Sequence, residues 1–151
     1  MGRYANTGEF NVLYPTRRKM ATILKRIISE DIINPSGSTL VDSIRINAKI
    51  TGFEVLEIQI VAAYYFIFLN NGAHLWNDGV IVPRKFVEKF TYELDKAGIT
   101  AEIYSQYAEW LTKRYKILDV VTIMKENQKL VYTFEALFSP PEFIQGFPLR
   151  V

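Results

Sequence analysis

Two spacings of apolar residues divide the chain. Between residues 16 and 33 the spacing is three and four, through Met20, Ile23, Leu24, Ile27 and Ile28. It predicts a helix that starts at Thr16 as N-cap and runs to about Ile33. Asn34 to Ser38 reads as a loop. The period then changes to two. Ile44, Ile46, Ala48 and Ile50 alternate with Arg45, Asn47 and Lys49, and Leu56, Ile58 and Ile60 alternate with Glu57 and Gln59. With a turn at Thr51-Gly52, these runs (Leu40 to Ile50 and Phe53 to Val61) predict an antiparallel hairpin.

The three-and-four spacing returns from Arg84 to Ala97, through Phe86, Val87, Phe90 and Leu94. Gly98 ends that helix. Thr100 is placed to cap another, whose apolar stripe is Ile103, Tyr107, Trp110 and Leu111. Ile117 to Met124 and Lys129 to Leu137, around a turn at residues 125–128, predict a second hairpin. The sum is an α+β fold: a small antiparallel sheet of two hairpins packed against three to four helices. One domain over residues 16–138 is expected, with an N-terminal arm over 1–15 and a C-terminal arm over 139–151.

Between the first hairpin and the second amphipathic helix lies a stretch that fits neither period. The ten residues Ala62 to Asn71 contain no charge and predict a short buried helix. Gly72 stands where such a helix ends with positive φ. The loop that follows holds His74, Trp76 and the Asp78-Gly79 pair, and Pro83 closes it. Trp76 in a turn-rich loop either folds back on its own domain or anchors a partner.

Charge changes the picture of the first helix. Arg17, Arg18 and Lys19 occupy its start and Glu30 and Asp31 its end. The macrodipole favours the reverse by roughly 0.3–1 kcal/mol per charge. A solvated polar face explains this blandly. The sharper readings are that a neighbouring subunit's opposite end pairs with these charges, or that the basic end meets phosphates. Arg17, Arg18, Lys25 and Arg26, with Lys113, Arg114 and Lys116 further on, are the candidate nucleic-acid contacts. The whole chain nets only +2, so no more than weak contact with a DNA backbone is expected. The arms carry Phe10 and Tyr14 at one end and Phe143 and Phe147 at the other. Aromatics are seldom spent on disordered tails, so they pack either on the parent domain or on a neighbouring chain.

Catalytic chemistry finds little footing. The absence of Cys excludes disulfides, thiolate metal sites and Cys nucleophiles, and fits a reducing cytoplasm. His74 is the single histidine, with Asp78 the only acid near it in sequence. Ser36 and Ser38 lack a nucleophile-elbow pattern. Glu54 and Glu57 fall on opposite faces of a strand. The 8 glycines are scattered, with no phosphate-binding loop. No catalytic residue, metal site or cofactor is expected. The start of the chain has no apolar leader core. The 12 residues from Ile58 to Leu69 fall short of the roughly 20 that a membrane span needs, so no membrane partner is expected.

The run Tyr65-Phe66-Ile67-Phe68-Leu69-Asn70-Asn71-Gly72-Ala73 resembles the Tyr-Ala-x-Tyr-Leu-Glu-x-Gly-Thr segment of tailed-bacteriophage neck and tail-completion proteins, which join head to tail. Its surroundings are also similar: a leading helix, a Leu-x-x-Ser-Ile-like step at Leu40 to Ile44, a hairpin, and Pro83 then Phe86 opening a helix. The likeness covers about Arg17 to Ala97. Asn70 stands where the family often has Glu, and Ala73 where it has Thr. The resemblance implies a non-catalytic virion subunit, made in the host cytoplasm. It would form a homo-oligomeric ring of six or twelve copies around the DNA channel, touching portal, neck or tail proteins. The expected subunit contacts are Arg17, Arg18, Lys19, Glu30, Asp31, Phe10, Tyr14, His74, Trp76, Asp78, Phe143 and Phe147. The alternative is a small cytosolic enzyme or ligand-binding domain with a pocket beside Tyr64, His74 and Trp76.

Overall fold

The computed structural model describes residues 9–31, 36–51, 55–74, 79–115, 129–137 and 148–149. The elements are β1 (Glu9–Asn11), α1 (Tyr14–Asp31), α2 (Ser36–Ser43), β2 (Arg45–Thr51), β3 (Val55–Ala63), α3 (Phe66–Asn71), β4 (Ala73–His74), β5 (Val80–Ile81), α4 (Phe86–Lys96), α5 (Ile99–Tyr115), β6 (Lys129–Leu137) and β7 (Pro148–Leu149). The fold is α+β. β1, β2, β3, β6 and β7 lie side by side in that order, and β4 and β5 form a separate two-stranded ladder.

Alternation built the first hairpin as expected. β2 and β3 pair antiparallel, with Ile46 opposite Ile60, Ala48 opposite Ile58 and Ile50 opposite Leu56. These even-numbered residues turn inward and are buried. Arg45, Asn47 and Thr51, at odd positions of β2, are exposed. β6 continues the pattern, with Tyr132 and Phe134 inward beside Ile58 and Ile60. α1 packs on β2 and against α4 and α5, while α2 packs on β3. Aromatic rings fill the centre. Phe66 stacks on Phe86 at 5.8 Å and on Phe134 at 5.7 Å between ring centroids. The fully buried Tyr132 keeps its hydroxyl bonded to Thr91 at 2.8 Å.

The wholly antiparallel sheet is corrected: β6 runs parallel to β3, from Val55 beside Lys129 to Ala63 beside Leu137. The supposed hairpin partner of β6, Ile117 to Met124, lies outside the described residues. The strand expected from Leu40 is also shortened, because Ser36 to Ser43 is helical. Ser43 explains the switch. Its buried hydroxyl donates to the Leu40 carbonyl at 2.6 Å and accepts the Ala63 amide at 2.9 Å. The last turn of α2 is thereby tied to the end of β3, and the strand can begin only at Arg45.

The N-terminal arm is part of the domain from Glu9 onward. Phe10 sits opposite Ile50 in the sheet and is 6% exposed. Its ring lies 5.5 Å from those of both Tyr107 and Trp110. Val12 is buried as well. Phe10 is therefore a core residue, and it is withdrawn as a contact with a neighbouring subunit. At the other end, β7 pairs with β6 through Leu149 and Tyr132. Phe143 and Phe147 lie outside the described residues.

Candidate functional site

The uncharged stretch resolves into the end of β3, a turn at Tyr64-Tyr65 and the six-residue helix α3. Gly72 closes the helix as expected, its amide bonded to the Phe68 carbonyl at 2.8 Å. Its φ of 82° and ψ of 158° lie in a region essentially restricted to glycine. A Cβ there would meet Pro83 Cγ at 2.7 Å and the Ile81 carbonyl oxygen at 2.9 Å. Gly72 thus lets the two ends of the loop touch, and it starts the β4–β5 ladder, in which Ala73 pairs with Ile81 and His74 with Val80.

The far end of the loop is clamped to α3. The Arg84 and Lys85 amides donate to the Leu69 and Asn70 carbonyls at 2.8 and 3.2 Å. Lys85 takes the left-handed conformation, φ 55°, which swings the chain into α4. Lys85 provides no side-chain cap. Asn70, buried at 9% exposure, supplies it from 17 residues upstream: its Oδ1 accepts the Val87 amide at 2.9 Å. An acceptor at this position satisfies one of the orphan donors of a helix start.

This clamp presents Val80 and Val82, 59% and 65% exposed. His74 lies in β4, whereas Trp76 and Asp78 lie outside the described residues. The suggested ligand pocket beside Tyr64, His74 and Trp76 falls partly outside them too. Tyr64 is half-buried against the core. Among the described residues, no group of three or more His, Asp or Glu is placed to hold a metal ion.

The first helix begins at Tyr14, two residues before the expected cap. Thr16 is buried inside it, donating its hydroxyl to Glu102 at 2.8 Å and accepting from Gln106 at 2.7 Å. Thr100 is likewise no cap, because α5 already starts at Ile99; its hydroxyl donates to Asp95.

The reversed charges of α1 find partners in the same chain. Lys19 pairs with Glu102 of α5 at 3.0 Å. Asp31 pairs with Lys89 of α4 at 2.7 Å. Glu30 lies 3.7 Å from Arg26, which bonds Glu93 of α4 at 2.9 Å. These pairs are partly exposed and contribute only about 0–1 kcal/mol each. Together they fix α1 against the start of α5 and the length of α4. Lys19, Glu30 and Asp31 thus each have a partner within their own chain, while the Lys19 and Glu30 side chains stay 57% and 64% exposed. Lys19 and Thr16 hold the Glu102 carboxyl below its ordinary value, the lysine bond having the larger effect.

Arg17 and Arg18 differ from the rest of that set. Both approach the Tyr14 ring, at 5.4 and 5.9 Å. Arg17 Nε donates to the Val12 carbonyl at 3.0 Å and its Nη1 to Asn47 Oδ1 at 3.4 Å. Tyr14 itself is 60% exposed, and the neighbouring Leu13 54%. Sequence reasoning missed Arg45, which lies beside this group on β2. Its place on the outward side of an alternating strand was readable, but its nearness to α1 was not.

In comparisons with known proteins, no family model, no curated protein and no solved structure matches the chain.

Proposed function

We propose that this protein is a non-catalytic structural subunit of a phage head–tail connector, a neck or tail-completion ring that surrounds the DNA channel and joins portal-side proteins to the tail. The observation that carries the reading is the β4–β5 ladder. It exposes Val80, with the exposed Val82 one residue beyond its end, on a base clamped by Gly72, Asn70 and the Arg84 and Lys85 amides. Exposed apolar side chains on a rigid mount suit recognition of another protein, since little conformational entropy is lost on binding.

The element order supports the choice of class. Leu40, Ser43 and Ile44, the residues of the Leu-x-x-Ser-Ile-like step, are all buried and lock α2 to the hairpin. α3, the loop and α4 then follow as one clamped unit. Native mass measurement and negative-stain imaging of the purified chain test the reading. A closed ring of identical copies is expected, dispersed by Val80→Asp with Val82→Asp while the melting temperature holds. A chain that stays monomeric at every concentration, or a ring indifferent to both substitutions, refutes it.

A further inference from the structure

Lys19, Arg26, Lys49, Lys85, Lys89 and Lys113 each lie within 4.0 Å of a carboxylate. Among the described residues, Arg84, Lys96 and Lys129 form no such pair, and neither do Arg17, Arg18, Lys25 and Arg45. These four line one groove of about 690 Å³ between α1 and the start of β2. Arg26, a candidate on sequence, is taken by Glu93. One carboxylate, Glu135, reaches the groove. It stands in register with Arg45 across Val61, about two strand spacings or roughly 9–10 Å away along the sheet.

Two of the guanidiniums are held by neutral acceptors. Arg17 uses the Val12 carbonyl and Asn47. Arg45 donates through Nη1 to the Asp42 and Ile44 carbonyls at 3.2 and 3.0 Å. A carbonyl or amide oxygen orients a guanidinium without cancelling its charge, and a guanidinium has five N–H donors. Both arginines therefore keep donors and full charge for a ligand. Arg18, Thr22 and Lys25 follow each other at spacings of four and three, one face of α1. At about 1.5 Å rise per residue the stripe is roughly 10 Å long.

We propose that this groove binds the phosphate backbone of nucleic acid without reading its sequence. A linear row of uncompensated cations suits a ligand with charge on every unit, which can settle in any register along it. An acidic protein segment would need several carboxylates spaced to match. Planar guanidiniums fit phosphate oxygens in pairs, and the exposed Tyr14 ring at one end offers a surface for a sugar or base. The inference does not depend on the ring, since it concerns the surface of a single chain.

Anisotropy of a labelled random-sequence DNA duplex, titrated with the full chain over a salt series, tests it. Four phosphate contacts give a slope of log K against log salt of about −3.6. Arg18→Ala with Lys25→Ala lowers the slope to about −1.8 and, at about 50 mM salt, weakens binding on the order of 10²-fold. Lys96→Ala, exposed in the last turn of α4 and outside the groove, leaves both nearly unchanged. No binding by the parent chain overturns the proposal, as does a Lys96→Ala loss equal to that of the groove variant. Binding of poly-glutamate without binding of the duplex overturns it in favour of an acidic protein segment. Native mass reports independently: a ring that ignores the duplex refutes the groove alone, and a monomer that binds it refutes the ring alone.

Discussion

Asn70→Ala isolates the contact that joins α3 to α4. The substitution removes the Oδ1 that accepts the Val87 amide at 2.9 Å and leaves the Asn70 carbonyl, with its bond from Lys85, in place. Val87 is 3% exposed, so water does not readily replace the lost acceptor. Loss of a helix cap costs about 0.5–2 kcal/mol, and a buried amide left without a partner about 1–3 kcal/mol. The two describe one interaction and are not added; about 2 kcal/mol is expected. For a chain of this size that lowers Tm by roughly 4–8 °C. Urea unfolding followed by circular dichroism, with an unchanged m-value, measures it. Asn71→Ala is the control. Asn71 is exposed and its Oδ1 merely accepts from Asn70 Nδ2, so a loss under about 0.5 kcal/mol is expected. Asn70→Asp keeps the acceptor and adds a charge that the start of α4 favours, so it recovers much of the loss. Equal losses for Asn70→Ala and Asn71→Ala, or for Asn70→Ala and Asn70→Asp, refute the reasoning.

Gly72→Ala combines a forbidden backbone angle with a Cβ 2.7 Å from Pro83, and should cost about 3 kcal/mol or more. Gly98→Ala is its counterpart: φ is 76° but nothing lies within 4 Å, so only about 1–2 kcal/mol is expected; similar melting temperatures for the two variants would sink the argument from close approach. Glu102 titrates below its ordinary value because Lys19 and Thr16 bond its ionised form. That stability is present above the unfolded-state value and disappears as pH falls through the lower folded one. Glu102→Gln should flatten the acid limb of the stability curve, and an unchanged limb in chemical denaturation across that range counts against the assignment.

The parts of the fold legible in the sequence were those set by local periodicity. Ile46, Ala48 and Ile50 facing Leu56, Ile58 and Ile60 announced the hairpin, and Gly72 announced the end of α3. α2 escaped because Ser-Gly-Ser-Thr are poor helix formers and the segment is held by the bond from Ser43 to β3. Alternation along Leu130, Tyr132 and Phe134 marked β6 as a strand without naming its neighbour, so the parallel pairing stayed hidden. The charges of α1 were legible as an anomaly. Their partners were not, because Glu102 stands 83 residues from Lys19 and Lys89 stands 58 from Asp31. Asn70 carries no cue at all for capping a helix beyond a loop.

The pairing of β3 with β6 bears on how the chain is made. Val55 and Lys129 are register partners separated by 74 positions (129 − 55). At roughly 5–20 residues per second, synthesis leaves about 4–15 s between their appearances. For that interval a hairpin of β2 and β3 has a bare edge along β3, with Leu56, Ile58 and Ile60 behind it and α3, α4 and α5 still emerging. Closing so distant a contact also slows folding relative to a chain of local contacts. A hairpin that forms within that interval is an open sheet until β6 arrives to cover its edge. High expression would strain that step first, and a chaperone that shields strand edges would raise the soluble yield without changing the stability of the finished fold.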